Sequence, residues 1–298
     1  MADHDDDVPD YHRASSPATT RLPENGEKPN VLVVTRGHPF HRDSFYDIFD
    51  SISEIQYSTV EHPAAQFMFN PDMANKFDCY VQYDMPGIQF GAEDGMYYDP
   101  PEFYKEGVRA MGEAGCPFVI MHHCAAAWPT WPEWAELVGG QFLYTPMKSR
   151  GVDRPDSGYV IDVPYTVSPV MDHPITAGIE PFDIVDEAYL SEVFEDSIVP
   201  LFTSSWNYTR DNFYSAANAV LRGELNSNEG WEHDDGSNIV GWIKTDKNSP
   251  VVYLQFGDGP ATYENVTFRR ILAQAIKWAS SDEAKEWAQE HNKKLAAE

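Results

Sequence analysis

Two pairs of histidines directly follow apolar stretches of this 298-residue chain. His38 and His41 come after one β-branched run, and His122 and His123 come after another. An unperturbed imidazole titrates near neutral pH, so it suits proton transfer, and a neutral imidazole is also a common zinc ligand. The spacing is compatible with acid/base chemistry or with a metal site made of His38, His41 and His122 or His123.

Other polar residues lie just past predicted strands. Arg36 follows the first strand, Asp84 the third, and the segment Gly257 to Glu264 a late one. Ligands of open α/β sheets bind at the carboxyl ends of the strands, so we expect these segments to meet in one crevice. Because adjacent residues at a strand end point to opposite faces, one of His122 and His123 should face that crevice while the other packs beneath it.

Three further segments have both a functional and a structural interpretation. Trp128, the tryptophan nearest the predicted crevice, could stack on a sugar ring or simply pack at a helix start. Cys124 begins a predicted helix but lacks the tight glycine turn of a nucleophile elbow, which argues against a thiol nucleophile. The segment Gly257 to Pro260 lacks the spacing of a phosphate loop, and its aspartate would repel phosphate, which excludes nucleotide binding.

Hydrophobic periodicity identifies the elements that position these residues. In the first half it predicts strands over 29–35, 55–60, 77–84 and 117–121, with helices over 44–52, 101–114 and 125–138. This order predicts an α/β sheet of parallel strands. The second half has strand candidates at 159–167, 217–221, 238–243 and 251–256, then a helix over 266–280.

No linker divides the chain, which favours one domain. We expect an acidic disordered tail over 1–28, a single domain over 29–281 with an elaborated second half, and a charged helix or tail over 282–298. The segment 204–236 is a candidate lid or dimer loop. Its aromatic residues are expected to be exposed, which favours a homodimer; they are Trp206, Tyr208, Phe213, Tyr214 and Trp231.

The composition of the chain limits the classes of molecule that it is expected to bind. The formal net charge of −27 repels nucleic acid and anionic membrane surfaces, so we expect neither as a partner. No stretch is apolar enough to span a membrane, and the acidic N-terminus does not resemble a secretory signal. Three cysteines without a CxxC pair indicate a reduced, cytoplasmic protein. The expected ligand is small and neutral or cationic, or bound with the help of a metal.

A set of motifs, in order over roughly residues 30–280, resembles the trehalose-utilisation (ThuA-like) family. The matching stretches are Val33 to Phe40, Tyr83 to Gly87, Met121 to His123, Trp128 to Glu133, Glu136 to Phe142, Asp172 to Gly178, Asp186 to Tyr189 and Gln255 to Asn265. The resemblance implies a flavodoxin-like, doubly wound, mostly parallel sheet with helices on both faces. It also implies kinship with class I glutamine amidotransferases, without their Cys-His-Glu machinery.

The resemblance further implies a role in the catabolism of trehalose and related disaccharides through 3-keto sugars. The residues that carry over by motif position are His38, Asp84, His122, His123, Glu187, Gly257, Thr262 and Glu264. Cys124 departs from the family pattern, in which we expect a small residue such as alanine.

These observations favour an enzyme that acts on a sugar or keto-sugar glycoside by histidine-based acid/base chemistry. A keto group acidifies the neighbouring C–H, so His122 or His123 could act as base, the other as orienter, and Glu187 or Glu264 as partner acid. The expected substrate contacts are Arg36, His38, Asp84, Trp128, Tyr189, Gly257 and Thr262.

Two alternatives stay open. One is a metal-dependent hydrolase or lyase that uses a divalent ion such as zinc at His38, His41 and His122; no cofactor is certain from the sequence. The other is a non-catalytic sugar-binding or regulatory module, because a fold does not imply a function. In every case the expected partner is a small carbohydrate.

Overall fold

The computed structural model describes residues 28–93 and 95–295, so the predicted tail over 1–28 lies outside the described residues except for Lys28. The strands are β1 (Asn30–Arg36), β2 (Gln56–Glu61), β3 (Cys79–Asp84), β4 (Phe118–Met121), β5 (Gly140–Gln141), β6 (Met147–Ser149), β7 (Val152–Arg154), β8 (Gly158–Pro169), β9 (Phe182–Leu190), β10 (Glu192–Val193), β11 (Val199–Ser204), β12 (Tyr214–Ser215), β13 (Ile239–Asp246) and β14 (Ser249–Leu254). The helices are α1 (Arg42–Asp50), α2 (Pro71–Ala74), α3 (Glu102–Ala114), α4 (Pro132–Val138), α5 (Ala216–Arg222), α6 (Pro260–Tyr263), α7 (Val266–Ala279) and α8 (Asp282–Leu295).

Half of the main sheet is parallel and has the order β2-β1-β3-β4-β14. With β14 as its fifth parallel strand this is the flavodoxin order 2-1-3-4-5, in which the chain changes direction across the sheet between β1 and β3. Strands β1, β3, β4 and β14 are buried along almost their whole length because both faces are covered, whereas the edge strand β2 is partly exposed. The predicted α/β class is confirmed, and ligands of this fold bind at the carboxyl ends beside the switch point.

Helices cover both faces of the parallel half. Apolar residues of α1, α7 and α8 pack into one core cluster, and residues of α3 and α4 pack into the cluster on the opposite face. Alternation along β3 divides its side chains between the two: Tyr83 faces the first cluster, while Tyr80 faces the second.

The other half of the sheet is antiparallel and continues from β14 through β13, β11 and β8 to β12, with β9 paired to β8. This is the elaborated second half that the sequence predicts. The β8–β9 pair matters for function because it returns the segment Asp186 to Tyr189 to the carboxyl edge of the parallel strands.

Two predicted elements differ from the structure. The strand expected over 217–221 is wrong: these residues belong to α5, whose first turn is capped by the Ser215 side chain accepting from the N–H of Asn218. The helix expected over 125–138 is shortened to α4, preceded by a 3-10 turn over His122–Ala126. Trp131 is extended before Pro132, as a residue preceding proline usually is, so the helix begins only at the proline.

The aromatic residues of 204–236 were expected to be exposed, and this prediction is wrong. Tyr208, Phe213 and Trp231 are buried in the core, and Trp206 and Tyr214 pack against it. The homodimer and the cytoplasmic location stay predictions. The homodimer no longer has the support of exposed aromatic residues. Within the described residues, no helix has both the length and the apolar character needed to cross a membrane.

Candidate functional site

The two adjacent histidines lie at the carboxyl end of β4, where the chain turns sharply. His122 has a left-handed backbone (φ 46°), and the hydroxyl of Tyr253 donates to its carbonyl oxygen at 2.8 Å. The imidazole rings of His122 and His123 stand edge to face with centroids 5.6 Å apart, and both are buried. Neither simply packs beneath the other, because each has its own set of neighbours.

His122 is held through both ring nitrogens. Nδ1 lies 2.5 Å from the carbonyl oxygen of Gln255, which can only accept, so Nδ1 carries a hydrogen. Nε2 lies 3.0 Å from Oε2 of Glu187, 3.2 Å from Oδ1 of Asp258 and 2.7 Å from the hydroxyl of Tyr189. Burial alone would lower the pKa of His122, but the two carboxylates outweigh it and hold that pKa well above its ordinary value.

His123 and His38 form a second, less polar group of imidazoles. Their ring centroids are 4.7 Å apart, and the His123 ring also lies 4.3 Å from the ring of Tyr83. Burial lowers the pKa of both histidines, so both are neutral at pH 7. Within the described residues, neither ring nitrogen of His123 makes a well-formed hydrogen bond, although the backbone of Tyr83 lies beside it. The same holds for Nδ1 of His38, whose ring has the backbone of Pro39 beside it.

Asp258 lies between the two groups, and other residues fix its position. The buried carboxylate of Asp186 accepts from the N–H groups of Gly257 (2.6 Å) and Asp258 (3.0 Å), and the Tyr263 hydroxyl donates to the Asp258 carbonyl oxygen (2.6 Å). Gly257 has φ 130°, a conformation that favours glycine. Burial would raise the pKa of Asp258, but the hydrogen bond and charge of His122 lower it to about 2.

Alternation along β9 places Glu187 and Tyr189 on the same side of the strand, facing His122. Burial raises the pKa of Asp186, the residue of β9 that precedes Glu187, to about 6. Glu187 and Asp258 have side chains 12% and 33% exposed, so solvent reaches the cluster from their side. The cluster can therefore donate a proton from a fixed imidazole and accept one at a partly exposed carboxylate.

The structure brings together six of the twelve sequence-predicted site residues. These are His38, His122, His123, Glu187 and Tyr189, with Gly257 beside them. They come from the ends of β1 and β4, from the turn after β14, and from β9. The predicted convergence of remote segments at one edge of the sheet is present.

Three predicted residues lie outside the cluster. Glu264 is exposed at the end of α6, because the short helix turns it away from β9. Arg36 is also exposed and pairs with Glu61 at 3.3 Å. His41 is exposed at the N-cap of α1, so the ligand set of His38, His41 and His122 is not assembled here.

Asp84 faces the opposite side of β3 from Tyr83, as strand alternation requires. It is fully buried, with Oδ2 at 2.9 Å from Nε2 of His62 and Oδ1 at 3.6 Å from Sγ of Cys124. Burial raises the pKa of the Cys124 thiol well above its usual range, which agrees with the argument against a thiol nucleophile.

Two more expected substrate contacts are fully buried. Trp128 has no exposed surface and packs against Tyr104, so neither face of its indole is open to a sugar ring. Thr262 is also fully buried, and its hydroxyl donates to the carbonyl oxygen of Val185 at 3.3 Å. Neither side chain therefore lines the site.

Sequence reasoning missed Asp258 as a site residue. It placed the segment Gly257 to Glu264 at the crevice because the segment follows a strand, but it gave Asp258 itself no role other than repelling phosphate. It also missed Asp186 as the side chain that positions the turn, because its hydrogen-bond partners are 71 and 72 residues away.

The family model described as ThuA, trehalose utilisation, matches residues 30–279 of this chain. Two solved structures share its fold: a ThuA-like protein from Parabacteroides merdae (14% identity, TM-score 0.60, 85% of this chain and 90% of that chain) and one from Bacteroides uniformis (14% identity, TM-score 0.56, 90% and 96%). No curated protein matches the chain. The family match spans most of the chain and confirms the resemblance in its motifs: this chain belongs to the ThuA family of trehalose utilisation.

Proposed function

We propose that the chain is an enzyme of trehalose-type sugar utilisation that breaks keto-sugar glycosides by proton transfer between the substrate and the pair His122–Glu187. The observation that carries this proposal is the hydrogen bonding of His122. Its Nδ1–H is committed to a backbone carbonyl, and its Nε2 faces the carboxylates of Glu187 and Asp258 and the hydroxyl of Tyr189.

This arrangement assigns roles that differ from the sequence-based expectation for His122. A nitrogen facing two carboxylates carries a hydrogen, so His122 suits the part of proton donor and not of base. Of the two partly exposed carboxylates beside it, Glu187 is the better proton acceptor, because the pKa of Asp258 is lowered to about 2. Tyr189, 2.7 Å from Nε2, can donate to or accept from the same atom as the proton moves.

The chemistry balances for a 3-keto glycoside. Its C1 carries the glycosidic oxygen, its C3 is the keto carbon, and the hydrogen on C2 between them is acidified by the keto group. Glu187 takes that acidified proton, and the electron pair forms an enolate. The enolate re-forms the carbonyl as the C–O bond to the leaving sugar breaks, and His122 gives its Nε2 proton to the departing oxygen. Positioned acid/base groups of this kind contribute about 10²–10⁴-fold in rate.

The test is turnover of 3-keto-trehalose compared with unmodified trehalose, with the released glucose and the enone measured by NMR. We expect activity only on the keto sugar, and deuterium exchange at the carbon next to the keto group in D₂O. Glu187→Gln should lower kcat/KM by about 10²–10⁴-fold. The matched control is Glu264→Gln, which alters an exposed carboxylate outside the cluster and should act as the wild type does.

Full activity of Glu187→Gln would refute the assigned base. Absence of both turnover and C–H exchange on keto sugars, in a protein that binds them, would instead favour the sugar-binding module. Tyr189→Phe provides a finer test, because removal of the hydroxyl at 2.7 Å should lower kcat more than it changes KM.

A further inference from the structure

We infer that His38, His123 and Asp258 bind a divalent transition-metal ion, next to the proton-donating His122 and not through it. One ligand atom from each of these residues lies within 4.8 Å of those of the other two. The three come from the ends of β1, β4 and β14. Their separation is one that a single ion at the centre could bridge.

The strongest support is the unpaired state of His123. This imidazole is 2% exposed, yet neither of its nitrogens makes a well-formed hydrogen bond with any part of the chain that the structure describes. Buried polar groups are nearly always paired with protein, ordered water or an ion, so an unpaired buried imidazole indicates a missing partner. Nδ1 of His38 is unpaired as well, and its ring is 4.7 Å from that of His123.

A second group, formed by His122, Glu187 and Asp258, has similar spacing but different chemistry. Nδ1 of His122 already bonds to a carbonyl, and Nε2 already has three hydrogen-bond partners. An ion there would have to displace these bonds, whereas Nδ1 of His38 and both nitrogens of His123 make no well-formed hydrogen bond within the described residues. The structure therefore distinguishes a metal-ligand group from a proton-transfer group, with Asp258 shared between them.

Two neutral imidazoles and one carboxylate form a three-ligand set that suits zinc or iron(II) and leaves coordination positions open. The contact of Asp258 with His122 is the kind of outer hydrogen bond that orients a ligating carboxylate. The partial exposure of Asp258 places the open side towards solvent. Given the proposed function, on which this step alone rests, the ion would polarise the keto oxygen of the substrate.

The experiment is metal binding to the full-length, chelator-stripped protein without substrate. Zn²⁺ is titrated by calorimetry, and Co²⁺ by its visible absorption, which reports nitrogen and oxygen ligation directly. We expect one ion per chain at this site. His123→Ala and Asp258→Asn should each weaken binding at least 100-fold. His38→Ala, at a half-buried position that disturbs the core less, should do the same.

Two control variants make the test specific. His41→Ala alters an exposed histidine beside the same strand and should leave the affinity within about 3-fold. Glu187→Gln alters the competing group and should weaken binding less than about 10-fold, since Glu187 bonds to His122 and not to any of the three ligands, and only direct partners of a ligand are expected to cost more. Wild-type affinity in folded His38→Ala, an absence of binding by the wild type, or a 100-fold loss in Glu187→Gln would each overturn the inference.

Failure of this inference is distinguishable from failure of the proposed function. Metal binding is measured without substrate, and keto-sugar turnover is measured separately on the chelator-stripped protein. Turnover by a wild type that binds no metal would overturn the metal site and leave the acid/base proposal standing. One bound ion lost in His38→Ala would support the metal site even if no keto sugar were turned over.

Discussion

Replacing His62 by alanine should strongly destabilise the protein, because this histidine partners a fully buried carboxylate. Nε2 of His62 lies 2.9 Å from Oδ2 of Asp84, and among the described residues the remaining oxygen of Asp84 has the thiol of Cys124, at 3.6 Å, as its side-chain partner. His62→Ala therefore leaves one carboxylate oxygen buried without a partner. The imidazole also packs edge-on near Tyr104 and Trp128, with ring centroids 6.3 and 6.0 Å away.

The magnitude follows from the burial of Asp84, which has no exposed surface. Breaking a buried pair by removing one partner costs about 3–5 kcal/mol, whereas an exposed pair would cost about 0–1 kcal/mol. At about 2–4 °C per kcal/mol for domains of up to roughly 250 residues, the expected fall in Tm is on the order of 10 °C.

The assay is urea unfolding at pH 7 followed by circular dichroism, within a double-mutant cycle. His62→Gln keeps an N–H donor near Asp84 and should lose less than half of what His62→Ala loses. Adding Asp84→Asn to His62→Ala should recover roughly 2 kcal/mol, because the unpaired charge is then removed. A loss below about 1 kcal/mol in His62→Ala, or additive effects in the cycle, would refute the reasoning.

Three other outcomes test the packing, a cap and a titration. Gly107→Ala places a Cβ 1.8 Å from the carbonyl oxygen of Phe69, so it should lower the unfolding free energy by about 3 kcal/mol. In the same urea titration the control Gly259→Ala should change that free energy by under about 0.5 kcal/mol, because its Cβ meets no described atom within 4 Å. Asn265→Ala removes the cap of α7 and should cost about 1 kcal/mol; an unchanged urea midpoint would contradict that. Burial lowers the pKa of His173 from 6.5 to about 4, so its contribution to stability is complete above pH 6.5 and is lost as the pH falls towards 4. His173→Gln should therefore reduce the slope of the unfolding free energy against pH between pH 4 and 6.5. Equal slopes for the variant and the wild type would rule the effect out.

The parallel half of the fold was predictable from local patterns. Apolar runs with β-branched residues became β1, β3, β4 and β14 within one or two residues of the expected bounds, because strands covered on both faces need continuous apolar sequence. The rule that ligands bind at the carboxyl ends of strands then pointed to His38, His122 and His123. Local signals failed over 217–221, where a serine cap and core packing favoured a helix over a strand.

The second half of the site was harder to predict. Glu187 lies in one of the family motifs, but it is 65 residues from its hydrogen-bond partner His122. His122 and its second partner, Gln255, are 133 residues apart. Periodicity within a window cannot report such pairings. These pairings depend on how β9 pairs with β8 and on where the β8–β9 pair meets the carboxyl ends of the parallel strands.

The sequence by itself determined which residues could do chemistry and at which edge of the sheet they would lie, because residue type and strand ends are local properties. Only the tertiary structure decided which of them meet. It turned Asp84 to the far side of β3, left His41 and Glu264 in solvent, and placed Asp258 between two groups of imidazoles. Hydrogen bonds, burial and charge act over a few ångströms, so the role of each side chain depends on neighbours that folding brings from distant parts of the chain.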